Sequence, residues 1–325
     1  MLKYSAGVPQ RRPWGGAVAA ALASAVFFGL NAVASKFLFG PNGGFDGTSL
    51  FVARGFWSIP LFLLLALAAR PRPFPKWSLR DAGLFAFCGL MYGPGTNALS
   101  SLGASRTSAA HAVLLLSLFP PLAALLAAWA LGEKLSKLRI AGIMIGVLGA
   151  AVLSLSKGGD SSSVLGDCLI AAFILTWALL TLGIRRLDSA YPPLFVVGVF
   201  GTLGGVMLVA VGIGLGRVDA ILIPIRHADA TTFIWFDLEL VLFLSLIGQL
   251  LQSVALRSLN VALVVALTSY GSIAAGMAAS VVLLGERLSV PEIVAGCLLV
   301  GALMISLTPE ASMQRFLARI GVAKA

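Results

Sequence analysis

Two nearly identical hexapeptides occur in this chain: LGEKLS at residues 131–136 and LGERLS at residues 284–289. Each follows an apolar stretch and precedes a Gly-rich one, and the copies lie 153 residues apart in a chain of 325. Aligning them sets PLAALLAAWALGEKLSKLRIAGIMIGVLGAAVLSL beside IAAGMAASVVLLGERLSVPEIVAGCLLVGALMISL, with one residue inserted after the hexapeptide. The chain is therefore predicted to contain two related halves.

The composition is that of a membrane protein. Hydrophobic residues make up 59% of the chain and charged residues 11%, whereas soluble domains have about 45–50% and about 25%. The net charge of +10 does not indicate nucleic-acid binding, because no basic helix face or aromatic–basic pattern accompanies it. Three cysteines lie far apart inside apolar stretches and lack zinc-type spacing, so we predict no metal and no cofactor.

Ten apolar segments are long enough to cross a bilayer, which takes about 20 helical residues. The predicted fold is therefore all-α and integral to the membrane, because unpaired backbone is costly in lipid. The predicted segments are 15–38, 48–69, 79–101, 106–129, 138–156, 164–184, 191–214, 235–256, 260–282 and 291–307.

The basic residues predict the orientation of these segments. With the N-terminus in the cytoplasm, sixteen of the 23 basic residues fall on the cytoplasmic side, six on the other side, and Arg54 within segment 2. Cytoplasmic loops carry such an excess of Lys and Arg. The protein is therefore expected to be multi-pass, with both termini cytoplasmic.

The sequence repeat and the number of predicted membrane segments together predict an inverted topology. Each half holds five segments, an odd number, so the second half enters the membrane from the opposite side. The expected organisation is a cytoplasmic tail at 1–14, a first repeat at 15–156, a second at 164–307 and a cytoplasmic tail at 308–325. Inverted repeats are typical of secondary transporters, whose substrate site lies near the midplane.

The sequence also resembles the EamA-type modules of the drug/metabolite transporter superfamily. The similarity lies in both hexapeptides with their Gly-rich segments, FFGLNAVASK at 27–36, Arg54, and NAL…SAA…LF-P…LGEKL across 97–135. The chain departs from the family where Phe28 replaces a Trp and where Pro121 adds a second proline, and segments 6 and 7 match weakly. The resemblance implies a ten-span carrier of small metabolites in the inner membrane, often an amino-acid exporter. The aromatic amino-acid exporter branch is one candidate.

Polar side chains inside the apolar segments are the candidate substrate-binding residues, since each is costly in hydrocarbon. Ser245, Gln249 and Gln252 share one helix face, and a shift of 153 residues sets Tyr92 and Thr96 beside the first two. The alternative role for such residues is hydrogen bonding between packed helices. The full candidate set is Asn31, Tyr92, Thr96, Asn97, His111, Trp177, Ser245, Gln249, Gln252 and Tyr270.

A second set is predicted to act in gating or structure: Arg54, Pro120, Pro121, Glu133 and Glu286. Arg54 could instead snorkel outward or meet a substrate carboxylate. The two prolines interrupt segment 4, where they could form a hinge. Glu133 and Glu286 belong to the hexapeptides and oppose a helix dipole, so we predict that they latch the two faces. His111 is either a proton-coupling site or a packed neutral histidine.

These patterns favour a carrier of small-molecule substrates among membrane lipids, working by alternating access. An enzyme is not predicted, because no carboxylate pair or histidine cluster lies within the segments. The alternatives are a flippase for lipid-linked groups and a non-transporting intramembrane enzyme. The pattern indicates no particular oligomeric state.

Overall fold

The computed structural model describes residues 14–38, 44–71, 78–106, 115–116, 118–132, 137–156, 164–188, 190–226, 245–284 and 290–307. This part of the chain consists of helices and short connections, without a strand, which confirms the all-α prediction. The helices are α1 (Trp14–Leu38), α2 (Gly47–Ala68), α3 (Leu79–Leu90), α4 (Leu99–Ala104), α5 (Phe119–Leu131), α6 (Lys137–Ser156), α7 (Val164–Leu187), α8 (Pro193–Gly214), α9 (Ile223–Arg226), α10 (Ser245–Leu256), α11 (Val261–Leu284) and α12 (Val290–Leu307). A π-helical segment, Met91–Ala98, joins α3 to α4, and a 3-10 helix, Val218–Leu222, precedes α9.

Four of the described helices are long and apolar enough to cross a membrane: Gly47–Ala68, Val164–Leu187, Pro193–Gly214 and Val261–Ala279. Shorter apolar helical stretches are Gly15–Asn31, Phe119–Leu131, Ile140–Gly149, Ser245–Leu256 and Ile293–Ala302. The chain is thus a multi-pass membrane protein by length and composition of its helices, while the count of ten spans stays a prediction.

Local sequence explains where several helices begin and end. Asp46 caps α2 in a capping box with Ser49, and Ser78 caps α3 in the same way with Asp81. Each box satisfies backbone N–H groups that the first helical turn leaves unpaired. Gly132 ends α5 in the left-handed conformation, at φ 67°, which a glycine adopts without steric cost. The first hexapeptide therefore opens with a helix end, while residues 133–136 and 285–289 lie outside the described residues.

Long-range pairs of helices build the bundle. α2 packs along α8 and α6 along α12. α1 packs against α10 and α11, whereas α7 packs against the region from α3 to α4 and against α5. The α2–α8 pair approaches very closely, since a Cβ added at Gly205 would lie 2.8 Å from the carbonyl oxygen of Gly55. Small residues allow such backbone contact between membrane helices.

The α2–α8 pair is antiparallel and separates the two ends of the bundle. Gly198, near the start of α8, lies against Ala66 near the end of α2, and Gly212 lies against Val52. One end therefore holds Asp46, the start of α2, which pairs with Arg217 at 2.7 Å. The other end holds the connection between α7 and α8.

Candidate functional site

One face of α10 carries three buried polar side chains. Ser245 is 9% exposed, Gln249 5% and Gln252 1%. They follow the spacing i, i+4 and i+7, which places them on one helix face. α1 lies against this helix, and Ser24 Oγ donates to the carbonyl oxygen of Gly248 at 2.8 Å.

Ser245 is the meeting point of three helices. Asn31 Nδ2 of α1 donates to Ser245 Oγ at 3.2 Å, and a terminal guanidinium nitrogen of Arg54 in α2 donates to the same oxygen at 3.0 Å. Arg54 is therefore directed into the bundle and does not snorkel outward. The contact brings a positive charge to the polar face of α10.

The two glutamines on this face have unmet hydrogen-bonding capacity. Gln249 Oε1 and both side-chain polar atoms of Gln252 are buried and have no partner among the described residues. Leaving a buried polar group unpaired costs about 1–3 kcal/mol, and such groups are uncommon in native proteins. The arrangement can offer two acceptors and one donor to a ligand that reaches this face.

An aromatic cluster around Trp177 reaches α10 through Phe28. The Trp177 ring of α7 stacks on Phe119 of α5, with centroids 4.3 Å apart, and on Phe173, at 5.5 Å. Phe28 of α1 meets it edge-on at 5.8 Å. Phe28 also lies against α10, because a Cβ added at Gly248 would be 2.8 Å from its ring. Phe28 thus contacts both Trp177 and α10.

The indole N–H of Trp177 is a further unmet donor. Its Nε1 is buried and has no partner among the described residues, whereas a buried tryptophan N–H usually finds one. Around Phe28 the bundle therefore presents hydrogen-bond donors and acceptors beside aromatic faces. Such a set suits a ligand with an apolar body and a polar end.

The candidate residues of the third predicted segment are engaged within their own helix. Thr96 Oγ1 donates to the carbonyl oxygen of Met91 at 2.8 Å, and Asn97 Nδ2 donates to that of Tyr92 at 2.7 Å. Pro94 explains the π-helical turn, because it lacks an N–H and its ring clashes with the carbonyl four residues earlier. These contacts favour a structural role for Thr96 and Asn97, although π-helical turns are frequent at functional sites.

The Tyr92 side chain packs against aromatic rings of two other helices. Its ring meets Phe62 of α2 edge-on at 5.8 Å and Phe200 of α8 at 5.2 Å. Arg54 interacts electrostatically with its hydroxyl. The repeat-related positions therefore differ in role: Ser245 collects hydrogen bonds, and Tyr92 mainly packs.

Tyr270 lies elsewhere in the bundle. It is fully buried, and its hydroxyl donates to the carbonyl oxygen of Ile143 in α6 at 2.9 Å. Its ring lies directly on Gly146, where an added Cβ would collide with it. This placement favours packing between α11 and α6 over contact with a ligand.

The remaining candidates fall at a helix start or outside the described residues. Pro120 and Pro121 lie in the first turn of α5, which begins at Phe119, a position where proline is well tolerated. His111, Glu133 and Glu286 lie outside the described residues.

Sequence reasoning missed the aromatic partners of Trp177. Phe173 precedes Trp177 by four residues, a spacing that places two side chains on one helix face, so the sequence contained a signal for this contact. Phe119 comes from another helix, and no local pattern predicts its contact with Trp177.

Comparison with known proteins assigns the first part of the chain to a family. Residues 15–155 match the model of the EamA-like transporter family. This segment belongs to that family. The EamA-like segment spans α1 to α6 and contains Asn31, Arg54 and the π-helical turn. The resemblance to the drug/metabolite transporter superfamily is thus confirmed, while the exporter branch stays a prediction.

Two curated relatives are also described as transporters. "Uncharacterized transporter YvbV" of Bacillus subtilis (strain 168) is 28% identical over 156 residues, 46% of this chain and 49% of that protein. "Probable terminal-alkyne amino-acid exporter" of Streptantibioticus cattleyicolor is 31% identical over 111 residues, 34% of this chain and 37% of that protein. The chain thus spans about half or less of the length of these relatives. Neither they nor the EamA-like family are described as enzymes, in agreement with the prediction.

The fold is similar to that of a solved structure described only as "Crystal structure of protein". The similarity has a TM-score of 0.70 and covers 89% of this chain and 97% of the other, at 19% identity. At this identity the similarity establishes the fold alone.

Proposed function

We propose that this protein is a membrane carrier that exports small amphipathic metabolites, with amino acids as the favoured class, by alternating access. The observation that carries the proposal is the group of buried polar atoms on Gln249, Gln252 and Trp177 that find no partner in the described part of the chain. Helices that only packed together would leave fewer such groups unpaired. A ligand that entered between α1, α7 and α10 would satisfy them.

The chemistry of the site supports an amphipathic substrate. Amide and indole groups can bind a carboxylate, an ammonium or a hydroxyl group, and the rings of Phe28 and Trp177 suit an apolar side chain. Arg54, which donates to Ser245, adds a positive charge, and charge-assisted hydrogen bonds favour a carboxylate. Amino acids combine these features, and the aromatic ones would use the ring cluster most fully.

The packing pattern supports the inverted repeat, an architecture with which many carriers achieve alternating access. If the first five predicted spans are exchanged for the last five, the α2–α8 and α6–α12 pairs map onto themselves. The contacts of α1 with α10 and α11 then map onto those of α7 with α3, α4 and α5. In inverted-repeat carriers the substrate site lies between the repeats, near the midplane. The site around Phe28 joins α1 to α7, the first predicted span of each repeat.

The proposed direction and location rest on the relatives and on charge. One relative is described as a probable amino-acid exporter. The distribution of basic residues favours cytoplasmic termini, which in a bacterial cell corresponds to the inner membrane. An exporter in this orientation takes its substrate from the cytoplasmic end.

Flux measurements in proteoliposomes test the proposal. Purified protein is loaded with unlabelled solute, and counterflow of labelled amino acids is followed, with aromatic, aliphatic and charged members in the panel. We expect saturable counterflow for at least one amphipathic amino acid. No saturable flux of any member would contradict the proposal, and lipid scrambling in the same vesicles would favour a flippase.

Variants connect the flux to the site. Gln249→Ala should lower flux at least tenfold with little change in apparent melting temperature. Trp177→Phe keeps ring stacking but removes the N–H, so it should weaken apparent substrate affinity. Thr202→Val is the matched control, because Thr202 Oγ1 donates within α8 to the carbonyl oxygen of Gly198. Equal flux in Gln249→Ala and the control would remove Gln249 from the site.

A further inference from the structure

A buried carboxylate lies at the end of α7, away from the candidate site. Asp188 directly follows α7 and is 5% exposed. Its Oδ2 accepts a hydrogen bond from Ser253 Oγ of α10 at 2.7 Å, while its Oδ1 is buried without a partner among the described residues. An ionised carboxylate has about four lone-pair positions, so a single donor leaves most of them unsatisfied.

The groups around Asp188 come from three elements. Arg185 on α7 and Arg257, just after α10, interact with it electrostatically, and so does the thiol of Cys88 on α3. Among the described residues, neither arginine forms a hydrogen bond or an ion pair with the carboxylate. The other helices of this region, α5 and α8, contain no titratable side chain. Within the described part of the chain, Asp188 is therefore a buried acid with one neutral hydrogen-bond donor and two arginines that do not pair with it directly.

Further contacts link the helix ends around Asp188. Arg257 donates to the carbonyl oxygen of Tyr191 at 2.6 Å, and the Tyr191 hydroxyl donates to Asp81 Oδ2 at 3.1 Å. Arg186 donates to the carbonyl oxygen of Ala130, the penultimate residue of α5, at 3.1 Å. These bonds join the start of α3 to the ends of α5, α7 and α10. These helix ends are thereby held together in the structure, an arrangement that we call closed.

Burial sets the protonation of Asp188. Loss of water raises the pKa of the Asp188 carboxyl from 3.8 to about 7, although the Ser253 hydrogen bond and the charges of Arg257 and Arg185 act in the opposite direction. A carboxyl exposed to water by separation of these helix ends would return toward its ordinary value near 4. The closed arrangement therefore binds a proton more tightly than an opened one.

We propose that Asp188 is a proton-binding site whose occupancy controls opening of the bundle at the end formed by α3, α7 and α10. Proton binding stabilises the closed arrangement, and proton release favours separation of α7 from α10. Linkage of this kind changes the opening equilibrium by up to about tenfold per pH unit between the two pKa values. The inference rests on the proposed carrier function in one respect: opening of this end serves transport only if the protein is a carrier.

Infrared spectroscopy of the whole protein in liposomes tests proton binding directly. The wild-type protein should show a carbonyl band of a protonated carboxylic acid that disappears with a midpoint near pH 7. Asp188→Asn should lack this band. Asp219→Asn, which changes an exposed acid before α9, should retain it. A band that persists in Asp188→Asn, or no titration near neutral pH, would overturn the proposal.

Cys88 reports opening, because its thiol is fully buried beside Asp188. Cys168 and Cys297 are exposed and are replaced by serine, so that Cys88 remains as the only thiol in the chain. Labelling rates are divided by those of the detergent-unfolded protein at each pH, which removes the intrinsic pH dependence of thiol reactivity. Relative labelling should rise about tenfold from about pH 6 to about pH 8 and stay flat in Asp188→Asn. Parallel curves for the two proteins would overturn the link to opening.

Ser253→Ala provides a second measurement if Asp188→Asn does not fold. Removing the hydrogen bond that Ser253 donates to the carboxylate should move the infrared midpoint to higher pH, and an unchanged midpoint would overturn the assignment. Neither experiment uses a substrate. Absence of flux would therefore contradict the carrier function without affecting the evidence for the proton site. Absence of the Asp188 titration would contradict the proton site without affecting the evidence for the carrier function.

Discussion

Arg54 of α2 donates a hydrogen bond of 3.0 Å to Ser245 Oγ of α10, across 191 positions of sequence. An arginine within a membrane bundle is costly unless it faces polar groups. This contact provides one such group, and Asn31 donates to the same oxygen. A cation is thus held at the polar face that we propose for the substrate.

Arg54→Lys should lower flux at least tenfold while the apparent melting temperature changes little. Lysine keeps the charge but loses the planar fork that can contact Ser245 and a carboxylate together. Counterflow and thermal unfolding in detergent measure the two effects. Arg217→Lys is the control, because this arginine pairs with Asp46 near the surface. A loss of flux in both variants would indicate an effect of arginine replacement that is not specific to the site.

Gln252→Leu should reduce flux while stability stays constant or rises. The side chain is 1% exposed and its amide atoms lack partners among the described residues, so leucine removes an unpaired amide that costs about 1–3 kcal/mol. Thermal unfolding and counterflow on the same preparation provide the comparison. Lower stability with unchanged flux would assign Gln252 to packing.

Tyr270→Phe should leave flux unchanged and destabilise the protein only slightly. The variant loses the hydrogen bond to Ile143, and such bonds in membrane proteins contribute about 0.6 kcal/mol on average. Gly146→Ala should destabilise more, because the new Cβ would collide with the Tyr270 ring. If Tyr270→Phe instead lost flux at full stability, its hydroxyl would belong to the transport path.

The stability contribution of Asp46 should depend on pH. Burial acts to raise the pKa of this carboxyl, but hydrogen bonds from Ser49 and Arg217 and the guanidinium charge lower it below 3.8 overall. The ionised form is therefore favoured in the folded state, so its contribution is present above pH 3.8 and is lost as pH falls through the lower folded value.

Asp46→Ala tests this dependence. At pH 7 the variant should lose about 0.5–2 kcal/mol, the range for a helix N-cap, and the difference from wild type should shrink toward pH 3. The exposed pair with Arg217 contributes little of this, so Arg217→Ala should have a smaller effect. A difference that stayed constant with pH would contradict the assignment to the carboxylate.

Local sequence patterns predicted much of the fold. Apolar length predicted the helices, and the glycine of LGEKLS lies where α5 ends. The boundaries shifted where backbone chemistry intervened: segment 3 was predicted as one helix over 79–101, but Pro94 lies in a π-helical turn within it. Within the candidate site, the spacing of Ser245, Gln249 and Gln252 correctly placed them on one face, because helical periodicity is a local property.

Tertiary structure alone decided which polar groups have partners. Tyr270 reaches a carbonyl 127 positions away, and Asp188 meets Ser253 across 65 positions, whereas Gln252 meets no partner among the described residues. In all three cases the sequence offers only residue type and spacing along a helix, and neither of these predicts a hydrogen-bond partner from a distant helix. Burial and hydrogen-bond partners depend on which helices pack together, and that packing follows from long-range contacts between apolar and small residues. The sequence by itself thus determined helices and their polar faces, and packing determined which of those faces could hold a ligand or a proton.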